Sequence, residues 1–157
     1  MSQLRVMMAA TPQATSPPIN ERPEARVVPW HYLTTILCHE VANSTIDNAP
    51  VVYKLLYSAL ADRLPHRQPF AAVVAFLFNE PGAYQVGVRL LAPDRRLLAH
   101  SESEIVIGEP ETHSVTAFHF GAVEFSVHGR YRVEVTLNTE LVAAYPMLIR
   151  RPTESIA

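Results

Sequence analysis

Alternating apolar and polar positions divide most of the chain after residue 30 into short segments. The clearest alternation covers residues 129–137, where the residues between the apolar positions are polar. Its apolar positions are Tyr131, Val133, Val135 and Leu137. A period of two predicts a β-strand with one buried face. The same Gly-x-Tyr-x-Val-x-Val-x-Leu pattern occurs at residues 82–90, so the sequence predicts two strands with equivalent buried faces.

Further strands are predicted wherever an apolar run is bounded by Pro, Gly, Asn or Asp. The full set of predicted strands comprises residues 32–39, 51–57, 70–78, 82–91, 97–107, 114–119, 123–127, 130–137 and 141–149. Residues 70–78 are apolar on both faces, which fits either a central strand or a short buried helix. Their short length and the turn residues that follow favour the strand.

Residues 51–61 fit two periodicities equally well. A strand face would consist of Val51, Tyr53, Leu55 and Tyr57. A helical stripe would consist of Val52, Leu55, Leu56, Ala59 and Leu60. We favour a strand over residues 51–57 because the neighbouring segments are strands.

Three details of the strand connections also follow from the sequence. A break near Gly121 is expected to separate the strands at 114–119 and 123–127. A three-residue loop, 138–140, is expected to pair Leu137 with Leu141 and to keep Met147 and Ile149 on the core side. Pro146 lacks a backbone N–H, so the last strand is expected to lie at a sheet edge or to contain a bulge.

Short strands separated by turn signals, with no β-α-β alternation, indicate an all-β fold. We predict an antiparallel β-sandwich of about seven to nine strands over residues 30–152. Residues 1–29 carry five prolines and no sustained periodicity, which predicts an extended or disordered Pro-rich arm. Residues 153–157 are expected to form a C-terminal tail.

From Leu33 onwards, the order of these strands resembles an uncharacterised bacterial family of small single-domain proteins of unknown function. The features that carry the resemblance are the 70–78 strand, the two Gly-x-Tyr strands and the final Tyr-Pro-Met-Leu-Ile segment. It implies an immunoglobulin-like sandwich, and it implies no activity. Gly-x-Tyr before the penultimate strand also resembles the tyrosine corner of such sandwiches, with Tyr131 as the candidate.

The composition limits which partners the protein is expected to bind and in which compartment it is expected to occur. The net charge of -2 and the pI near 6.4 give no positive field for nucleic acid or an anionic membrane. No segment has the roughly 20 apolar residues that a membrane span needs, and the N-terminus lacks the pattern of a secretion signal. The lone Cys38 is expected to be a small buried hydrophobe. These features predict a soluble cytoplasmic protein.

No catalytic, metal or cofactor motif emerges from the polar residues, and we expect neither an enzyme nor a cofactor. His113 and His119, together with His100 or His128, are candidate zinc ligands. We favour the alternative that these histidines are scattered and bind no metal. The carboxylates near 102–111 are interpreted as a solvated strand face. Seven arginines, at 89, 95, 96, 130, 132, 150 and 151, would cluster if the two Gly-x-Tyr strands and their hairpins shared one sheet. A site for a partner carboxylate or phosphate is the less favoured interpretation, and Arg132 is interpreted as a cross-strand partner of an acidic residue.

The remaining hypothesis is a non-enzymatic interaction or structural module, a subunit that docks through its arm and a sheet edge. Val6, Met7 and Met8 are the only part of the arm apolar enough to anchor on such an edge. Self-association or a protein partner follows from this reading. An alternative is a module that binds a small ligand or carbohydrate through Trp30, His31 and Tyr32, although these side chains are expected to pack where the arm meets the domain.

Overall fold

The computed structural model of the chain describes residues 28–153, and the regular elements of this part are nine β-strands in two sheets. The strands are β1 (Trp30–Asn43), β2 (Pro50–Leu55), β3 (Ser58–Leu60), β4 (His66–Phe78), β5 (Gly82–Leu91), β6 (Leu97–Ile107), β7 (Thr112–Phe125), β8 (Gly129–Leu137) and β9 (Glu140–Arg150). One sheet has four strands in the order β2-β1-β4-β7, and the other has five in the order β3-β9-β8-β5-β6. The all-β sandwich predicted from the sequence is confirmed.

The two Gly-x-Tyr strands lie next to each other at the centre of the five-stranded sheet. β5 and β8 are antiparallel, with Val88 opposite Val135 and Leu90 opposite Val133. The apolar positions of both strands are buried, as the alternation predicts. They pack against aromatic side chains of the four-stranded sheet in one large core: Phe70, Phe76, Phe78, Phe118 and Phe125.

Residues 51–61 form strands, so the helical alternative is wrong, although the extended segment is interrupted. β2 ends at Leu55, Leu56 is buried between the sheets, and β3 continues as the edge of the other sheet. β3 runs parallel to β9, with Ser58 opposite Leu148. The sandwich is therefore antiparallel except for this one pairing among the described strands.

The predicted break near Gly121 is wrong, because β7 is one strand from residue 112 to residue 125. Pro69 of β4 lies opposite Ala122, whereas Ala71 lies opposite His119, so β7 holds one more residue than β4 at this point. Gly121 has a φ of 63°. A glycine in the left-handed region is the residue that lets a strand absorb such a bulge without ending.

The β8–β9 connection has two residues, so the predicted three-residue loop is wrong. Asn138 and Thr139 both have positive φ, and Leu137 pairs with Glu140. The sequence argument fails because a bulge corrects the register: Thr136 pairs with Leu141, but Val135 pairs with Ala143. The extra residue returns Met147 and Ile149 to the core side, where the sequence placed them.

Tyr131 forms the expected tyrosine corner at the start of β8. Its hydroxyl donates to the backbone oxygen of Val127 at 2.8 Å, and the Val127 N–H donates to the hydroxyl at 3.3 Å. The Tyr131 ring is buried edge-on against Phe125 at 5.0 Å between centroids. The corner ties the β7–β8 connection to the core.

Candidate functional site

On one lateral side of the sandwich, a chain segment covers the gap between the two sheets at one end only. There the chain crosses from β2 in one sheet to β3 in the other. The Leu56 N–H donates to the Leu37 oxygen at 2.8 Å, and the Leu148 N–H donates to the Tyr57 oxygen at 3.1 Å. The crossing therefore joins the two sheets by backbone hydrogen bonds.

The rest of this side has no covering strand in the described part of the chain. β2 pairs with β1 only at residues 38–43, and β3 pairs with β9 only at residues 148–150. Residues 30–36 of β1 and 140–147 of β9 therefore lack a strand neighbour on their outer side within residues 28–153. We call these two stretches the open edge. Pro146 lies in it, which fits the predicted edge position, since its missing N–H leaves no ladder bond unmade.

Two tyrosines seal the gap between the sheets beneath the open edge. The hydroxyls of Tyr32 on β1 and Tyr145 on β9 are hydrogen bonded to each other, and the Tyr32 hydroxyl donates to Thr35 Oγ1 at 2.9 Å. Burial is the main cause that raises the pKa of Tyr32, and Tyr145 adds to it. The neutral hydroxyl is thus the favoured form in the folded protein.

Trp30 and Tyr32, the aromatic candidates from the sequence, are half-buried and pack edge-on against one core ring. Their centroids lie 6.0 and 5.6 Å from that of Phe76. Both side chains belong to the junction between the open edge and the core. The other three candidates, Val6, Met7 and Met8, lie outside the described residues.

The chain enters the domain at the end of the sandwich where the open edge begins. The backbone oxygen of Pro29 accepts from the Asn79 N–H at 2.8 Å. The backbone oxygen of Val28 accepts from Asn79 Nδ2, also at 2.8 Å. Val28 and Pro29 are therefore bound to the β4–β5 turn at the end of the open edge.

An apolar stripe runs along the β2–β3 crossing on the same lateral side. Its five side chains are between 40% and 65% exposed. They are Val51, Tyr53, Leu55, Tyr57 and Leu60. The sequence assigned the first four to one strand face, but nothing in the alternation distinguishes a face that packs on the core from one that faces outwards. Large apolar side chains on an edge strand are a feature of surfaces that bind another chain.

Cys38 lies on the outer face of the four-stranded sheet, in a second small cluster with Val41, Ala71 and Val73. The side chain is fully buried, as predicted, and its thiol lies 3.6 Å from the Ala71 oxygen. Burial raises the pKa of the Cys38 thiol. The thiol is therefore protonated at neutral pH and is a poor nucleophile.

The histidines weighed as zinc ligands lie apart. His100 contacts Glu102 at 3.0 Å, and His128 Nε2 lies 2.8 Å from the Ala61 oxygen. His113 and His119 are exposed on one face of β7, opposite Leu77 and Ala71 of β4. Among residues 28–153 no group of three His, Cys, Asp or Glu side chains is close enough to share a metal ion. The same residues contain no helix able to span a membrane.

Arg132 does not form the expected cross-strand pair. It binds Glu134 on its own strand, with Nε and Oε1 2.9 Å apart, and the cross-strand partner of Glu134 is Arg89 at 2.6 Å. The Glu134 side chain is almost fully buried between them. The prediction of an ion pair at Arg132 was right, but the partner was not, because Arg132 lies opposite Pro146 and Leu91.

Comparisons with known proteins identify a family. Residues 33–150 match the profile of a family described as a family of unknown function (DUF6941). A comparison with curated proteins finds no match for this chain.

Similar solved structures include a glycosyl hydrolase family 2 member from Bacteroides cellulosilyticus, at 14% identity and a TM-score of 0.44, covering 75% of this chain and 14% of that one. A beta-D-glucoside glucohydrolase from Trichoderma reesei has 10% identity and a TM-score of 0.44, with 77% and 19% covered. This chain thus spans less than a fifth of either enzyme. An immunoglobulin-like protein from Pseudomonas aeruginosa has 15% identity and a TM-score of 0.37, with 73% and 91% covered. The strand order of this chain itself shows a two-sheet β-sandwich.

Proposed function

The chain belongs to this family of unknown function, DUF6941, and we propose that it is a non-enzymatic interaction module that binds an extended segment along its open edge. In this proposal the protein is a subunit of a larger assembly, and the segment is the N-terminal arm of a neighbouring subunit. The observation that carries the proposal is the open edge, where residues 30–36 and 140–147 have no strand neighbour on their outer side within the described chain.

Backbone chemistry supports an extended occupant. A free strand edge offers a row of N–H and C=O groups at the spacing of a further strand, and an added strand satisfies them. The open edge comprises seven residues of β1 and eight of β9, by the ranges 30–36 and 140–147. Either length matches an ordinary strand of 3–10 residues.

Chain length and sequence support the arm as the occupant. Residues 1–27 precede the described part, and fully extended they would reach ~90 Å, well beyond the width of one sandwich. The attachment of Val28 and Pro29 to Asn79 directs the chain past the end of β4. In this proposal the arm continues outwards to a neighbouring subunit, since a return along its own β1 would need a chain reversal before Val28.

The apolar stripe supplies the hydrophobic part of the proposed contact. Val51, Tyr53 and Leu55 lie on the strand that continues the lateral side beyond the open edge. Val6, Met7 and Met8 have matching apolar chemistry. Burying such side chains stabilises an interface by roughly 25 cal/mol per Å² of apolar surface before the costs of association.

The carbohydrate alternative has less support. Sugar-binding surfaces present aromatic faces to the ligand, but the rings of Trp30 and Tyr32 are half-buried against Phe76. The Tyr32 hydroxyl is occupied by Thr35 and Tyr145.

Deleting residues 1–28 tests the proposal. We expect the truncated protein to keep its β-type circular dichroism and to have the mass of a monomer by light scattering, whereas the full chain is larger. A full-length variant with Val6, Met7 and Met8 changed to serine should behave like the truncation. Gln13→Ser, a polar change in the same arm, is the control and should assemble normally. An unchanged mass after the deletion would contradict the proposal.

A further inference from the structure

A cavity of about 310 Å³ opens on the five-stranded sheet and adjoins the open edge, because residues 144–146 of that edge belong to its lining. Apart from three arginines, its lining comes from the end of β5, the β5–β6 turn, β8 and β9. These residues are Leu91, Ala92, Pro93, Tyr131, Ala144, Tyr145 and Pro146. The volume lies at the lower end of the range for small-molecule sites.

Three arginines surround this apolar floor. Arg95 comes from the β5–β6 turn, and Arg130 and Arg132 come from β8. No carboxylate belongs to the lining, and within residues 28–153 only Arg132 of the three is in an ion pair, through Nε to Glu134. Counting that carboxylate against the three guanidinium groups leaves a charge of about +2 at the cavity.

Arg95 is held towards the cavity at a conformational cost. Its φ is 69°, in the left-handed region that disfavours residues with a Cβ. The turn imposes this geometry, because the Arg95 N–H donates to the Ala92 oxygen at 2.8 Å and the Ala92 N–H donates to the Arg96 oxygen at 2.8 Å. Glycine would fit this turn without strain, so the turn itself does not require arginine here.

The cavity wall is fixed by a close approach between two turns. Gly129 has a φ of 144°, and a Cβ placed on it would lie 3.2 Å from Cγ of Pro93. The turn that carries Arg95 therefore packs directly on the residue before Arg130. Glu134 in turn holds the Arg132 guanidinium in place, since it is buried and also bound to Arg89.

We propose that this cavity binds a small phosphate monoester through Arg95, Arg130 and Arg132, with the apolar floor taking the organic part of the ligand. Three guanidinium groups match the three terminal oxygens of a phosphate monoester, whereas a carboxylate has two. A monoester carries -1.5 to -2 charges at neutral pH, which matches the charge of about +2. The three arginines lie outside the open edge, although residues 144–146 line the cavity and also belong to that edge.

Phenyl phosphate is a suitable probe, because it joins a phosphate to a compact apolar body. We expect a titration of the full chain at low salt, followed by amide NMR shifts, to saturate at millimolar concentration. The shifts should concentrate in residues 91–95, 130–132 and 144–146. Inorganic phosphate, which lacks the body, and benzoate, which carries a carboxylate on the same ring, should each bind more weakly.

Two variants and one control assign the site. Arg130→Gln and Arg95→Gly should each weaken phenyl phosphate binding roughly tenfold or more, as expected for a lost charge-assisted contact. Arg95→Gly should also leave the unfolding temperature unchanged or raise it, because it relieves the positive φ. Arg96→Gln is the matched control: Arg96 is in the same turn but lines a different hollow against β7, so its variant should bind normally.

Four results would overturn the proposal. They are the absence of cavity shifts at millimolar phenyl phosphate, binding that both variants leave intact, benzoate binding as tightly as phenyl phosphate, and binding of a phosphopeptide but not of phenyl phosphate. The last would identify a protein ligand in place of a small molecule.

Discussion

The hydroxyls of Tyr32 and Tyr145 are hydrogen bonded across the two sheets, at the point where neither of their strands has an outer neighbour. The contact joins β1 to β9, which are separated by most of the chain. It closes the interior beneath an edge whose backbone groups remain available. An edge that is sealed inside and open outside can bind a strand without exposing the core.

The Tyr32 hydroxyl makes stability depend on pH in the alkaline range. Its pKa is raised above the ordinary value of 10.0, mainly by burial, so the folded protein keeps the proton at pH values where the unfolded chain loses it. The contribution of Tyr32 to the free energy of unfolding is therefore fully present below about pH 10 and decreases as the pH rises above that value. Tyr84, whose pKa is also raised by burial, adds to the same trend.

Tyr32→Phe tests this assignment. Denaturant unfolding between pH 8 and 11 should lose stability less steeply in the variant, while at pH 8 the variant should be less stable by ~1 kcal/mol for the missing hydrogen bonds. Tyr53→Phe, at an exposed position, is the control. An identical slope in wild type and Tyr32→Phe would show that Tyr32 is not the group responsible.

Gly87→Ala should destabilise the five-stranded sheet. A Cβ at this position would lie 2.6 Å from Thr136 Oγ1 and 3.3 Å from Glu102 Cγ, and Thr136 is buried. Crowding of this kind costs ~1–3 kcal/mol. Adding Thr136→Ala should recover part of the loss in a double-mutant cycle. Gly108→Ala, where nothing lies within 4 Å, is the matched control and should change stability far less.

Thr139→Gly should stabilise the β8–β9 hairpin. Thr139 has a φ of 71° and follows Asn138 at 47°, which is the geometry of a two-residue turn that favours Asn-Gly. Relief of the strained β-branched residue should raise the free energy of unfolding by up to ~1 kcal/mol. Thermal unfolding measures it. A lower midpoint would mean that the threonine side chain makes contacts that outweigh the backbone strain.

Tyr131→Phe should cost ~1–3 kcal/mol, because it removes the donor to the buried Val127 oxygen and leaves the ring in place. Equilibrium unfolding in urea gives the value. The fold should be retained, since Phe125 still packs against the ring. A loss no larger than that of Tyr53→Phe would mean that the corner contributes little here.

The sequence predicts the central strands well because burial on one face imposes a period of two. β5 and β6 have the predicted bounds, and Tyr84 and Tyr131 point into the core. The positions of β-bulges cannot be predicted in this way, because one extra residue changes the strand register without changing the composition of the segment. Val142 restores the face that a two-residue turn would have reversed, and Gly121 bends β7 without ending it.

The candidate surfaces depend on pairings that are distant in the sequence. Whether a strand has a neighbour on both sides is decided by the whole topology, so the open edge and the parallel β3–β9 pairing have no local signal. The apolar stripe looks like a core face when read along the chain alone. The sequence predicts only that seven arginines would cluster if their strands shared a sheet. The structure brings three of them, Arg95, Arg130 and Arg132, to one cavity.

Amide hydrogen exchange along the open edge tests the central claim most directly. The full chain and the chain lacking residues 1–28 would be compared at several protein concentrations, with exchange read for amides in residues 30–36 and 140–147. The account predicts slow exchange in one or both stretches of the full chain, increasing in protection with concentration, and fast exchange after the deletion. Equal exchange rates in the two proteins at every concentration would contradict it.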